Sequence, residues 1–281
     1  MTPTVDALID AVADRVTATI APLYALIDEW RDATRAELER QIASSAGPTA
    51  AELDPFTAGL ATPSLVDQES LVAGAGFVAA PGFLGDAPWH LAWWLAGPGG
   101  ALRRLDSIDD PESEQFRDYR TLEWWRVPAA TGRRHFTGPY VDYMCTDDYT
   151  FTITTPVEIG GGLVGVVGAD LYVVHLERVL VRALRDSGLS GTLVNASGRI
   201  VTSTDAHRAT GDLLRLDGLA EVLARVRAVV EGDRSGDQAS RAASSVASDV
   251  EIAAALTRAE LPGGGVARPC GATSLVLVTG A

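Results

Sequence analysis

The sequence contains no lysine. All 23 of its basic residues are arginines, against 37 acidic residues, and the formal net charge is -14. The absence of lysine excludes Schiff-base catalysis and the lysine of a phosphate-binding loop. A strongly acidic chain also binds poorly to nucleic acid and to anionic membrane surfaces, because both are contacted mainly through basic side chains. These features favour a small cationic or zwitterionic partner, with no nucleic acid and no membrane insertion.

Cysteines and long apolar runs are also scarce. Cys145 and Cys270 could form one bridge, but two cysteines do not make a disulfide framework, so reduced thiols in a cytosol are the expectation. No run reaches the roughly 18 apolar residues of a membrane span. The N-terminus has no basic region of a secretory signal. The sequence therefore predicts a soluble, cytoplasmic protein.

Signals of catalysis are missing as well. The four histidines lack the spacing of metal ligands. The sequence around Cys145 lacks the base and the orienting residue that activate a catalytic thiol. The glycine triplet at 160–162 joins two predicted strands, so it is expected to form a hairpin turn and not a phosphate cradle. We therefore expect a protein that is not an enzyme and that uses no metal or cofactor.

Apolar residues recur at helical spacing over residues 4–43. The pattern predicts one long amphipathic helix, or two in line, with a kink at Pro22. The apolar stripe is expected to pack on the body of its own chain, and a homodimer seam is the alternative. Gly and Pro in residues 44–60 should end the helix, and two strands separated by a Pro/Gly turn should follow.

The clearest pattern lies between residues 138 and 174, where β-branched and aromatic residues alternate about two tight turns. It predicts three antiparallel strands, with Tyr140 and Asp142 on one face. Trp124 and Trp125, in the aromatic segment before these strands, are treated as neighbours on a strand, so that at most one of them faces the site. Further elements are expected in this order: a helix at 175–188, two short strands at 192–204, a helix at 216–231, a mobile loop near 231–249 and two C-terminal strands.

This order of motifs resembles the Cache sensor domains, specifically the double Cache type with two PAS-like modules in series. The most specific pieces are PYVD at residues 139–142, TTPV at 154–157 and GVVGAD at 165–170. The resemblance covers most of the chain and is strongest from residue 118 to residue 180. It implies an α+β fold with a PAS-like antiparallel sheet, a long N-terminal helix and a second, smaller PAS-like module that looks truncated. The implied limits are 1–45 for the helix, 46–187 for the ligand-binding module and 188–281 for the second module.

In the amino-acid- and amine-sensing branch of this family, the ligand's ammonium group is held by a Tyr and an Asp of the PYxD strand and by the Asp that ends GVxGAD. The resemblance thus implies ligand contacts for Tyr140, Asp142 and Asp170. Carboxylates and a phenol oxygen are good acceptors for an ammonium group, and an aromatic face adds cation–π attraction. The aromatic segment adds the candidates Tyr119, Trp124, Trp125 and Arg126. Two structural alternatives stay open, since the tryptophans could be core residues and Asp170 could cap the next helix.

The sequence departs from the family pattern in one respect. In the amino-acid-sensing branch an arginine that binds the ligand carboxylate precedes the aromatic pair by a fixed spacer, whereas here Arg126 follows Trp124 and Trp125. Arg120 or Arg126 could still reach a ligand carboxylate, but neither is in the register of the family motif. Recognition of an amine is therefore expected more strongly than recognition of a whole amino acid.

The predicted function is a ligand-binding sensory module for an amine, a quaternary amine or an amino acid. It would signal through a separate signalling or regulatory protein, and a homodimer through the N-terminal helix is a further expectation. Two alternatives remain. The first is a binder of an organic acid that uses Arg120, Arg126, Arg133 and Arg134, and the second is a scaffold or regulatory subunit without a ligand.

Overall fold

A computed structural model describes residues 4–44, 47–97, 101–106, 108–142, 148–230 and 257–280. The chain divides into two compact units. The N-terminal sheet unit comprises Tyr24–Tyr172, and the C-terminal sheet unit comprises Met1–Leu23 together with Val173–Ala281. Among the described residues, no helix is both long and apolar enough to cross a membrane.

The predicted N-terminal helix forms as one element, α1 (Val5–Ile42), with Pro22 inside it. Its apolar stripe is buried within the chain itself, as the near-zero exposure of Val12, Ile20 and Leu38 indicates. Burial of the stripe favours packing on its own chain. The homodimer stays a prediction, and an interface on α1 would have to use other residues of that helix.

A second helix, α2 (Ala50–Val66), lies where the sequence indicated only a break. The expectation was wrong because it weighed the prolines and overlooked the start signal. The side chain of Thr49 accepts a hydrogen bond from the backbone N–H of Glu52, and Asp86 accepts from the N–H groups of Ala50 and Ala51. The first turn of α2 thus has partners for N–H groups that would otherwise be orphaned.

The N-terminal sheet unit contains one antiparallel sheet of six strands in the order β3-β2-β1-β6-β5-β4. The predicted strands and their antiparallel pairing are confirmed. Gly160 and Gly161, both with positive φ, form the turn between β5 and β6, as predicted. The strands are β1 (Val72–Ala79), β2 (Leu91–Ala96), β3 (Leu102–Arg104), β4 (His135–Val141), β5 (Tyr149–Ile159) and β6 (Gly162–Tyr172).

The aromatic segment before β4 is helical, so the expectation of a strand for Trp124 and Trp125 was wrong. A 3₁₀ turn at Tyr119–Thr121 leads into α3 (Glu123–Thr131). The segment has a turn signal at each end, because the Asp118 side chain accepts from the N–H of Arg120 and Gly132 closes the helix with φ 68°. The hydroxyl of Thr154 on β5 donates to the carbonyl of Trp124 over 2.6 Å and attaches α3 to the sheet.

The C-terminal sheet unit contains α4 (Val173–Asp186) and α5 (Leu219–Val230), which confirms both predicted helices. Its antiparallel sheet has the order β8-β7-β11-β10-β9. The strand β10, which precedes β11, lies in the Gly/Pro-rich connection for which no strand was predicted. The predicted loop near 231–249 falls outside the described residues. The strands are β7 (Gly191–Asn195), β8 (Ile200–Ser203), β9 (Ala259–Glu260), β10 (Val266–Pro269) and β11 (Leu275–Thr279).

Candidate functional site

Asp170 lies on β6, an inner strand of the six-stranded sheet. Gly74 of β1 is opposite it on one side, and Thr152 of β5 is opposite it on the other. Its side chain is only 2% exposed. A carboxyl group in this position depends on the protein for its hydrogen bonds, because burial removes it from water.

Two side chains that the sequence patterns did not single out supply these bonds. The Thr152 hydroxyl donates to Asp170 Oδ1 over 2.7 Å, and the indole Nε1 of Trp93 donates to Asp170 Oδ2 over 2.9 Å. Both donors are neutral. The alternative that Asp170 caps the next helix is wrong, since both of its oxygens accept from residues of the sheet and α4 begins only at Val173.

A small cavity lies beside Asp170. Four of its eight described lining residues are polar, but the surface that they expose to the cavity is mostly apolar. The cavity holds about 10 Å³ of space open to the centre of a water molecule. This is roughly the room that one water molecule occupies. The described lining residues are Val78, Leu91, Trp93, Trp124, Tyr140, Asp142, Thr152 and Asp170.

The electrostatics of the cavity are dominated by two buried acidic residues. Asp142, which directly follows β4, is 2% exposed, as is Asp170. Burial and, secondarily, the charge of Asp142 raise the pKa of Asp170 to about 8, against the lowering effect of its hydrogen bonds from Thr152 and Trp93. Without a cation in the cavity, Asp170 therefore keeps its proton at neutral pH, and a bound cation would favour its ionised form.

The structure brings together four of the seven predicted site residues. Tyr140, Asp142, Asp170 and Trp124 all line the cavity. The phenol of Tyr140 also shares a 2.7 Å hydrogen bond with the hydroxyl of Thr152. The predicted placement of Tyr140 and Asp142 on one face is consistent with this shared lining.

The other three predicted site residues are not among the described lining. Tyr119 is buried in an aromatic cluster, where its hydroxyl donates to the carbonyl of Ala79 over 2.6 Å. Trp125 belongs to the same cluster, with its ring centroid 5.1 Å from that of Tyr119. Arg126 is exposed on α3. These positions give Tyr119 and Trp125 a packing role and leave Arg126 at the surface.

No arginine belongs to the described lining either. Arg120 forms an ion pair with Asp118 and lies 4.9 Å from the centre of the Trp89 ring. Arg134 forms an ion pair with Asp28. Residues 143–147, which follow Asp142 and lie outside the description, have the sequence YMCTD and contain no basic residue. A ligand carboxylate would therefore find no cation among the described residues of the cavity.

Comparison with known protein families finds a match for one segment of the chain. Residues 103–178 match the family model described as "Methyl-accepting chemotaxis protein-like, first PDC sensor domain". This segment includes α3, β4, β5 and β6, and hence all of Trp124, Tyr140, Asp142, Thr152 and Asp170. It coincides closely with the region in which the resemblance to Cache domains is strongest.

Solved structures with the same architecture cover almost the whole chain. The first, "Methyl-accepting Chemotaxis protein X", is 14% identical and covers 96% of this chain and 96% of its own, with a TM-score of 0.55. The extracellular domain of the candidate histidine kinase mmHK1S-Z2 is 14% identical, with coverages of 95% and 92% and a TM-score of 0.55. The corresponding domain of soHK1S-Z6 is 12% identical, with coverages of 97% and 90% and a TM-score of 0.53. At these identities the likeness establishes the fold alone, and it confirms the α+β class with a long N-terminal helix and two antiparallel sheets.

Proposed function

Because the chain contains a PDC sensor domain of the Cache type over residues 103–178, we propose that it is a sensory module that binds a small amine-bearing metabolite. The observation that supports this most strongly is the pair of buried acidic side chains, Asp142 and Asp170, on one small cavity. Two carboxyl groups buried on one cavity are costly to ionise, since each loses its hydration and the two negative charges repel each other. A positively charged ligand would offset that cost.

An ammonium group matches the chemistry of the cavity. It donates N–H bonds, and the carboxyl oxygens of Asp142 and Asp170 and the phenol oxygen of Tyr140 can accept them. Hydrogen bonds to charged groups contribute about 1.5–3 kcal/mol each. The Trp124 side chain on the lining adds an aromatic surface for cation–π attraction.

We favour an amine over a whole amino acid as the ligand. An α-carboxylate bound in a cavity needs a cation or several N–H donors. The described lining offers the ligand no basic side chain, and Arg120 and Arg126, the two candidates for this role, are both exposed. The free space of about 10 Å³ matches an ammonium head group in size and is too small for a whole amino acid.

We propose further that the signal passes to a separate protein. The family model that matches residues 103–178 is named for methyl-accepting chemotaxis proteins, which supports a signalling role. The cytoplasmic location and the limits 1–45, 46–187 and 188–281 of the three segments remain predictions. Two of the structural relatives are extracellular domains, so cell fractionation of the native protein is the appropriate test of location.

A thermal-shift screen tests the proposed function. The panel contains primary amines, quaternary amines, amino acids and carboxylic acids, and each compound is tested on the native protein and on Asp170→Asn and Asp142→Asn. We expect primary amines to raise the melting temperature of the native protein and to have little effect on either variant. Hits restricted to carboxylic acids that persist in Asp142→Asn would overturn the proposal in favour of an organic-acid binder.

The small free space favours one other candidate, a scaffold or regulatory subunit that keeps the fold without a ligand. It predicts that no compound of the panel shifts the melting temperature. It also predicts that affinity purification of the native protein recovers a stable complex with a second protein. A shift with any primary amine that is lost in Asp170→Asn would exclude this candidate.

A further inference from the structure

Three side chains on adjacent strands form a continuous chain of hydrogen bonds at the cavity. The phenol of Tyr140 on β4 is 2.7 Å from the hydroxyl of Thr152 on β5, and that hydroxyl donates to Asp170 Oδ1 on β6 over 2.7 Å. Thr152 is 2% exposed, and its one hydroxyl proton is donated to Asp170. The chain has a direction, and the direction depends on Asp170.

The direction follows from the number of protons. A threonine hydroxyl has one proton to donate and an ionised carboxylate has none. When Asp170 is ionised, Thr152 must donate to Asp170, and Tyr140 must then donate to Thr152. The phenol proton is thus directed at Thr152, and the phenol oxygen acts on a ligand as an acceptor.

We propose, building on the proposed function, that Thr152 is a positioning residue that makes the cavity select ammonium groups carrying N–H bonds over quaternary ammonium groups. With Tyr140 oriented by Thr152, the cavity presents acceptor oxygens from Tyr140, Asp142 and Asp170. A primary ammonium group has three N–H donors to meet them. A quaternary nitrogen has none, so it would occupy the cavity without donating a hydrogen bond to these oxygens.

The arrangement of the tryptophans agrees with this selectivity. Cages that bind quaternary ammonium use several aromatic faces. Here Trp93 directs its N–H edge at Asp170, 2.9 Å away. The free space of about 10 Å³ also fits an –NH₃⁺ group far better than four methyl groups.

The same series of hydrogen bonds, from Tyr140 through Thr152 to Asp170, predicts a pH dependence of ligand binding. A protonated Asp170 has an O–H to donate, and donation to Thr152 would reverse the chain and turn the phenol into a donor toward the ligand. The titratable group that acts on Asp170 from a neighbouring element is Asp142, which follows β4, and Tyr172 on the same strand as Asp170 also interacts with it electrostatically. The hydrogen bond from Thr152 favours the ionised form of Asp170 and so lowers its pKa. Removing this bond should move the pH at which an amine binds upward.

The test compares methylammonium with tetramethylammonium by calorimetric titration between pH 6 and pH 9. The proteins are the native chain, Thr152→Val, which has the same shape without the hydroxyl, and Thr152→Ser, which restores the hydroxyl. We expect the native protein to bind methylammonium at least about 10-fold more tightly than tetramethylammonium, since a hydrogen bond to a charged group is worth about that factor. Thr152→Val should lose most of this preference and show its pH midpoint at a higher pH, and Thr152→Ser should recover both.

Two further variants keep the test decisive. Thr202→Val removes a buried hydroxyl from β8, outside the cavity, and should leave the preference and the pH profile of the native protein unchanged. If Thr152→Val does not fold, Tyr140→Phe removes the phenol acceptor with Thr152 in place and should reduce the preference by itself.

The possible failures are distinguishable. Binding of methylammonium that is lost in Asp170→Asn but unaffected by Thr152→Val would overturn the role of Thr152 and leave the amine-binding function standing. Equal affinity for tetramethylammonium and methylammonium would overturn the selectivity. Absence of binding by either compound and by every amine of the thermal-shift panel would overturn the proposed function itself.

Discussion

The indole N–H of Trp93 reaches Asp170 across an intervening strand. Trp93 lies on β2 and Asp170 on β6, with β1 between them, yet Nε1 and Oδ2 are 2.9 Å apart. The contact passes over Gly74 of β1. A Cβ atom at Gly74 would lie 2.9 Å from Asp170 Oδ2 and 3.0 Å from Trp93 Nε1, so the missing side chain makes room for the bond.

Gly74→Ala should therefore disturb the cavity. The new methyl group would also lie 2.7 Å from Cδ2 of Leu95, and such overpacking typically costs about 1–3 kcal/mol. We expect a lower free energy of unfolding in urea and weaker binding of methylammonium. The matched control is Gly59→Ala on α2, where a Cβ atom meets nothing within 4 Å and the exchange should stabilise the helix by about 0.5–1 kcal/mol. Equal effects of the two substitutions would contradict the account.

Trp93→Phe removes the indole N–H that donates a hydrogen bond to Asp170. The variant should lose about 1–3 kcal/mol of unfolding free energy, because a buried acceptor loses its partner and the smaller ring leaves space. The pH midpoint of methylammonium binding should move upward, because the N–H of Trp93 lowers the pKa of Asp170. Trp94→Phe is the control, since adjacent side chains on β2 point to opposite faces of the sheet. A pH midpoint that moves equally in both variants would count against the assigned role of Trp93.

The raised pKa of Asp170 predicts how stability depends on pH. The folded protein holds this proton up to about pH 8, whereas the unfolded chain releases it near pH 4. Its contribution to stability is therefore fully present below about pH 4 and is lost as the pH rises through about 8. Between pH 5 and pH 8, the free energy of unfolding of the native protein should fall relative to that of Asp170→Asn by up to about 1.4 kcal/mol per pH unit. Urea unfolding of both proteins at several pH values measures this difference, and parallel curves would show that Asp170 ionises normally.

Arg126→Ala should change neither amine binding nor stability appreciably. Because Arg126 is exposed on α3 and outside the described cavity lining, we expect the affinity for methylammonium to stay within about twofold and the free energy of unfolding within about 0.5 kcal/mol. Calorimetric titration and urea unfolding measure the two quantities. A loss of affinity of tenfold or more for an amino acid such as alanine, without loss for methylammonium, would instead assign Arg126 to a ligand carboxylate.

The strands of the site were predictable from the sequence because their signal is local. Alternation of β-branched and aromatic residues about the glycine triplet at 160–162 specifies the β5–β6 hairpin, and period-two alternation relates Tyr140 to Asp142. The helix α2 was predictable only in part. Its local start signal, Thr49 three residues before Glu52, was overlooked in favour of the prolines. Its second partner, Asp86, lies 36 residues from Ala50, and a single-sequence pattern does not show such a distant contact.

Trp93 and Thr152 show the same limit within the site. Each looks like an ordinary strand residue, and its role depends on strand pairing, since Trp93 and Asp170 are 77 positions apart in the sequence. The strand order β2-β1-β6-β5 brings them to Asp170, and no local pattern specifies that order. Trp125, a candidate ligand contact in the sequence, lies outside the described lining, and its segment forms the helix α3 where a strand was expected.

The most direct test of the central claim is a crystal structure of the chain with the amine that gives the largest thermal shift. The account predicts that the ligand nitrogen lies in the cavity, within about 3 Å of carboxylate oxygens of both Asp142 and Asp170. It also predicts that Thr152 keeps its hydrogen bonds to Tyr140 and Asp170. A ligand bound elsewhere, with the two acidic side chains still closed around the small empty space, would contradict it.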